Sequence, residues 1–405
     1  MKLFRQLLVA PAAFGLLLPL SANASEVNIK GITSYTDLEQ QEEENNFSHN
    51  DFSSKKPLLI SGGEGLGAVH DHDSDSFSST TSMDGSASFL ISAGSGDETT
   101  MGDTEALNAI YYYGINLNTS FTGEDNLAVT IETGNTPTGL SAATAPTALD
   151  FGAGLASSLT LVDLNYTRSI GDKLTVTVGD SLDVSANFTG ACAYSGFTDQ
   201  LSDCGTGQTA GAGGDVTLSS VYEIGNGFSF GAGFSGLEGS TTDGLFTKEG
   251  ADLYAFQLAY SADNYGLAVS YANADVPAGD AGAFFGGLTA DTTFWGINGY
   301  YSFDATAISS ISVGYEAGNP ETGDDTANWF AGVTSGSVGP GSINLGVGTT
   351  AHIADNASET LQYEVSYGWD INDSTSATLG GFIIERDGAG VEDFTGVALS
   401  TTFVF

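Results

Sequence analysis

The chain has 405 residues, 41% of them apolar, and carries 50 acidic against 9 basic residues, a formal net charge of −41 at pH 7. Such acidity excludes a surface for the phosphate backbone of nucleic acid, which Lys and Arg must hold. The apolar share excludes a wholly disordered chain, and 55 glycines among many Ser, Thr, Asn and aromatic residues argue against a helical one.

At the N-terminus, Lys2 and Arg5 precede an apolar run from Leu7 to Leu20 and the small-residue ending Ser21-Ala22-Asn23-Ala24. This is the order of a secretory signal peptide over residues 1–24, with cleavage after Ala24. The apolar run, about 14 residues, is too short to remain as a membrane span. Residues 25–83 are acidic and rich in Ser, Asn and Asp, without heptads or helical periodicity. They are predicted to form a loosely ordered periplasmic segment. Within it, His70-Asp71-His72-Asp73 and Asp75 could share a face in extended chain. Two histidines with loose carboxylates make a weak metal set, so the segment reads as solvated, with no metal and no cofactor.

From residue 84 to the end, 84–405, apolar and small polar residues alternate. Leu174, Val176, Val178, Leu182 and Val184 share one parity, with Thr175, Thr177, Gly179, Ser181 and Asp183 on the other. Tyr254, Phe256, Leu258 and Tyr260 alternate with Ala255, Gln257 and Ala259, and Leu361, Tyr363, Val365, Tyr367 and Trp369 with Gln362, Glu364, Ser366 and Gly368. Successive strand side chains point to opposite faces, so each segment has one oily and one wet face. Strands are predicted at 84–93, 109–121, 126–135, 157–169, 172–185, 214–224, 227–236, 251–261, 264–274, 293–303, 307–318, 327–334, 341–348, 359–369, 373–386 and 394–405.

A soluble sandwich would alternate too. Three features favour a transmembrane antiparallel β-barrel of about 16 strands. Many segments approach or exceed the 9 to 11 residues a tilted membrane strand needs. The wet face is mostly Gly, Ser, Thr and Asn. Aromatics also cluster near segment ends on the apolar parity: Tyr260, Tyr265, Tyr301, Phe303, Trp369, Phe403 and Phe405. Short connections, such as Gly225-Asn226 and Ala262-Asp263, alternate with long ones near 94–108, 136–156, 186–213, 237–250 and 275–292. Short periplasmic turns and long extracellular loops are the outer-membrane pattern.

Several stretches resemble the cyanobacterial members of the carbohydrate-selective (OprB-type) porin family. They are the opening Met-Lys-Leu-Phe-Arg, the run from Leu117 through Asp125 and Leu127 to Thr133-Gly134-Asn135, and Ile170–Gly179. The terminal strand, ending in Phe403 and Phe405, resembles an outer-membrane assembly signal. The resemblance implies a Gram-negative-type outer membrane, contact with its lipid, and passive passage of small hydrophilic solutes, sugars or inorganic cations including iron. By analogy with sixteen-stranded porins, a homotrimer is expected. The family's usual S-layer homology domain and coiled coil are missing from residues 32–83, which puts wall anchoring in doubt.

Without Lys2 and Arg5 the chain keeps 7 basic residues, and only Arg168, Lys173, Lys248 and Arg386 follow residue 83. An acidic pore favours cations, although the same acids could simply solvate loops. Cys192 and Cys204, both within 186–213, are expected to form a disulfide in an oxidising compartment. Two readings of that loop stand: a stapled surface loop, or a constriction folded into the barrel with Asp183, Asp199, Asp203 and Asp215 at its eyelet. A hydrolase is disfavoured because no nucleophile motif surrounds any Ser, so no enzyme activity is expected. A structural barrel contributing to envelope integrity is the alternative to a channel.

Overall fold

The computed structural model describes residues 80–96, 107–135, 148–149, 151, 157–210, 213–237, 239–277, 288, 290–304, 307–388 and 390–405. The export signal, His70–Asp75 and the acidic segment up to residue 79 lie outside the described residues.

Sixteen strands make one antiparallel sheet: β1 (Thr81–Ser95), β2 (Asn108–Thr119), β3 (Asp125–Gly134), β4 (Thr160–Ile170), β5 (Leu174–Asp180), β6 (Val216–Gly225), β7 (Phe228–Gly236) and β8 (Asp252–Ser261). They continue with β9 (Tyr265–Asp275), β10 (Thr292–Ser302), β11 (Ile308–Pro320), β12 (Thr326–Ser335), β13 (Gly341–Thr349), β14 (Leu361–Asn372), β15 (Thr375–Ile384) and β16 (Phe394–Val404). Each pairs with its sequence neighbours, and β16 returns to β1 with Leu399 opposite Ile91 and Phe403 opposite Ala87. The sheet is a closed barrel with no free edge. A two-residue segment, Ile353–Ala354, adds a short pairing to β12.

Every predicted segment corresponds to one strand, though several ends move by two or three residues: β4 starts at Thr160 rather than 157, and β14 runs to Asn372 rather than 369. β1 begins at Thr81 rather than 84, because Thr81 to Met83 still pair with Thr119 to Leu117. The predicted strand 172–185 stops at Asp180: Ser181 adopts a left-handed φ of 56° and turns the chain off the sheet. The connection 321–325 is short although it shares an end with the long ones, so the alternation of lengths is not strict.

The side chains are arranged inside out relative to a water-soluble sheet. On β8 the outward Leu258 is 51% exposed, while the inward Gln257 beside it is only 7% exposed. The same parity holds on β11, where Val313 and Tyr315 are exposed and Ser312 and Glu316 are buried. A closed sheet that must satisfy its polar face inside and present oil outside suits hydrocarbon as the outer solvent. Outward aromatics ring the end that carries the short turns: Phe228 lies 4.7 Å from Tyr260, Tyr301 4.8 Å from Phe303, and Tyr367 5.4 Å from Trp369.

The turns at that end follow from local chemistry. Between β2 and β3, Asp125 Oδ1 accepts hydrogen bonds from the Ser120 hydroxyl and the amides of Phe121 and Thr122, and its Oδ2 accepts from the Tyr166 hydroxyl at 2.8 Å. The Ser-Phe-Thr-Gly-Glu-Asp stretch is therefore a carboxylate-centred turn. Between β6 and β7, Asn226 and Gly227 take φ of 55° and 83°, the left-handed pair a two-residue hairpin demands.

Candidate functional site

The connection 181–215 is the longest described excursion from the wall, and it lies inside the barrel. Its two ends are pinned together where Leu182–Asp183 pairs with Gly213–Gly214. From there it runs along the inner wall. The Asn187 side-chain amide donates to Thr177 on β5 and to the Ser219 carbonyl on β6. The Thr189 amide donates to Gln257 on β8 at 2.9 Å, and the Ala193 amide to the Ser312 hydroxyl on β11 at 3.0 Å. The Tyr194 hydroxyl donates to Glu364 on β14 at 2.6 Å. A helical turn, α1 (Asp199–Ser202), marks the far end, and the chain returns past Asn298 on β10, whose amide donates to the Thr206 hydroxyl at 3.1 Å.

The wall makes room for the loop with bare backbone. A Cβ on Gly231 would stand 2.5 Å from Phe188, on Gly296 2.6 Å from the Thr209 hydroxyl, on Gly332 2.5 Å from Tyr194, and on Gly380 2.6 Å from Phe197. These glycines occupy inward positions on four strands, so the groove is written into the wet parity of the sheet. The loop's partners on the wall are inward-parity side chains, among them Thr177, Gln257, Ser312 and Glu364, the contacts a constriction would make. A spacing of residues along the chain carries no record of which solvent a loop meets. Cys192 and Cys204 do form the expected disulfide, which closes a ring at the loop's far half.

The four carboxylates proposed for an eyelet fall into two pairs. Asp183 and Asp215 stand at the loop's base beside β5 to β7; Asp199 opens α1, which packs against β13, and Asp203 follows it. Asp183, Asp199 and Asp203 are exposed and Asp215 is half-buried. Asp183 is reached by water yet closely ringed by protein, and that burial raises its carboxyl pKa above the ordinary aspartate value. Burial and then the neighbouring Glu364 push the Tyr194 phenol above its ordinary range, so it stays a donor.

Sequence reasoning missed the wall's share. On the inward face of β2 to β4, the Tyr112 hydroxyl donates to Glu132 at 2.6 Å, Asn116 and Asn118 both donate to Asp84 at 2.8 Å, and Asn165 donates to Asp163 at 2.7 Å. Glu316 and Glu364 line the opposite wall. Their shared signal was an acid on the wet parity of a strand: Glu364 between Tyr363 and Val365, Glu316 between Tyr315 and Ala317. Basic groups are placed elsewhere. Arg168 and Lys173 sit at the short-turn end, where the Lys173 ammonium donates to the Ile224 carbonyl at 3.4 Å, and Lys248 and Arg386 lie in the connections at the other end. Arg386 nevertheless reaches the loop's surroundings, its guanidinium carbon 5.9 Å from the centre of the Phe394 ring that packs beside Phe197.

No protein-family model matches the sequence, and no curated protein sequence does. Solved structures do match the fold. An outer-membrane protein of Vibrio cholerae, OmpT lacking its loop L8, is 13% identical with a TM-score of 0.54, the match covering 80% of this chain and 99% of that one. Pseudomonas putida OprB, in its high-pH structure, is 11% identical with a TM-score of 0.57, covering 80% of this chain and 94% of the other. Likeness at these identities is likeness of architecture: a sixteen-stranded antiparallel barrel of the outer-membrane type.

Proposed function

We propose that this chain is an outer-membrane channel that lets small hydrophilic solutes and ions diffuse passively, with a preference for cations. The observation that carries the reading is the 181–215 loop, folded inside a closed barrel and bearing exposed carboxylates. A sixteen-stranded barrel is wide enough to hold water, and an internal loop narrows such a cylinder without filling it. The wet face inside and the oily face outside support residence in lipid. The likeness in architecture to OmpT, an outer-membrane protein, is in keeping with the outer membrane; in this reading the chain reaches it through a signal peptide cut after Ala24 and assembles as a homotrimer.

The cation preference rests on charge placement. In this reading Asp199 and Asp203 on the loop, with Asp183 and Asp215 at its base, border the water path together with the inward-parity Asp84, Glu132 and Asp163 of the wall. A confined channel between low-dielectric walls concentrates their field. Small sugars and inorganic cations, iron included, are the cargo class in this reading. Planar-bilayer recordings under a salt gradient test it: the reversal potential should have the sign of a cation-selective pore, and Asp199→Asn with Asp203→Asn should move it toward zero. A pore that prefers anions would refute the preference. Liposome swelling separates the channel from a purely structural barrel, which would admit no small sugar.

A further inference from the structure

Two carboxylates of the wall carry the far half of the loop. Glu364, 5% exposed, is used purely as an acceptor. Its Oε1 takes the Tyr194 hydroxyl at 2.6 Å and the Phe197 amide at 2.8 Å; its Oε2 takes the Thr198 amide at 2.8 Å and the Thr198 hydroxyl. The Gln362 side-chain amide donates to that hydroxyl's oxygen at 2.5 Å, which aims its proton at Glu364. Glu316, fully buried, takes the Thr209 amide at 2.7 Å on Oε2, while its Oε1 stands 2.8 Å from His352 Nε2 in the 350–360 connection.

Glu364 receives four bonds from the Tyr194–Thr198 stretch, two from amides and two from hydroxyls. Bonds to a charged acceptor are roughly twice as strong as neutral ones, whereas Ala193 meets only the neutral hydroxyls of Ser312 and Ser310 and Thr198 also meets the neutral amide of Gln362. The Cys192–Cys204 disulfide joins the loop to itself and supplies no bond to the wall.

We propose that Glu364 is the positioning residue of the channel. By holding Tyr194 to Thr198 against β14 it fixes how far the loop stands from the wall, and with it the aperture and the placement of Asp199, the next residue along. This rests on the channel reading above. Without the carboxylate, two amides and two hydroxyls are left without an acceptor in a dry corner. They regain partners only by swinging into the water of the lumen, which narrows it intermittently.

Single-channel recording and amide hydrogen exchange of the full-length chain test this together, with heat-modifiable migration verifying that the barrel has assembled. In Glu364→Ala the steady open current should break into lower sub-levels, and the Phe197 and Thr198 amides should exchange about tenfold faster or more. Glu364→Gln should lie between, since its oxygen still serves Tyr194 and Phe197 while its NH2 faces the Thr198 donors. Tyr194→Phe removes one bond of the four and gives a milder form of both effects, a readout that survives if the alanine variant does not assemble. Steady wild-type current in the variants, with or without faster exchange, overturns the aperture role. A wild-type protein that passes no current overturns the channel reading instead. The exchange data then decide the tether alone: acceleration upholds it, and unchanged rates overturn it.

Discussion

The carbonyl oxygen of Cys204 lies against the bare Cα of Gly314, so close that any Cβ at that position would run into it. The loop's return path is therefore set by the absence of a side chain on β11. Gly314→Val should force the Cys204 segment off the wall and into the lumen, lowering conductance while the outward face and barrel assembly stay intact. Gly368→Ala is the control, because a Cβ there would meet nothing nearer than the Thr378 hydroxyl at 3.6 Å. Equal conductance for the two variants in planar bilayers would show that the loop does not depend on this contact.

The disulfide should govern the loop and leave the barrel alone. Closing a ring of 12 residues in sequence removes chain entropy worth about 3 kcal/mol on the usual model. That restraint acts on a segment whose opening need not unfold the sixteen strands. Cys192→Ser with Cys204→Ser is expected to speed amide exchange over residues 192–204 and to leave the thermal transition of the sheet near its wild-type temperature. A large drop in that transition would mean that loop and barrel unfold as one unit.

Acidification should neutralise Asp183 above the ordinary aspartate range. The folded-state pKa of Asp183 is raised by burial, so the folded protein keeps this proton at a pH where an unfolded chain has lost it. The sign follows: ionising Asp183 costs stability, the cost is absent below the ordinary aspartate range near 4, and it grows as pH rises through the raised value. Asp183→Asn should then remove a step lying above the ordinary aspartate range from a titration of reversal potential against pH, and should stabilise the protein slightly at neutral pH. A titration identical to wild type would place Asp183 away from the ion path.

The outward parity makes a depth-dependent demand. Leu258 sits midway along β8, exposed on the oily face. Leu258→Arg should weaken folding into lipid vesicles by about 2–4 kcal/mol, the cost of a charge near the middle of a bilayer. Gln257→Asn, on the inward parity, should change it far less. Urea titration of the two variants in vesicles gives the comparison, and an unpenalised arginine would argue that lipid does not touch this face.

How much of this was legible beforehand depends on how local each cause is. The sixteen segments could be read from the sequence because alternation is a property of adjacent residues: Tyr254, Phe256 and Leu258 on one parity already specify an oily face, whatever they meet. The turn was legible for the same reason, since a left-handed backbone selects its own residues, although it falls on Asn226-Gly227, one residue past the expected Gly225-Asn226. The end of β5 was not, because Leu182 and Val184 continue the apolar parity past the Ser181 kink that takes the chain off the sheet.

The pairing of Cys192 with Cys204 needed only two cysteines in one loop. Where that loop goes was beyond the sequence. Its path is decided by partners 107 to 170 residues away, Thr209 with Glu316 and Tyr194 with Glu364, and by glycines on strands that meet it only after closure. The chain by itself determines which faces are oily and which are wet. Only the closed barrel decides that the wet faces converge, because a buried carboxylate such as Glu364 takes its donors from whatever segment the closed wall brings within 3 Å.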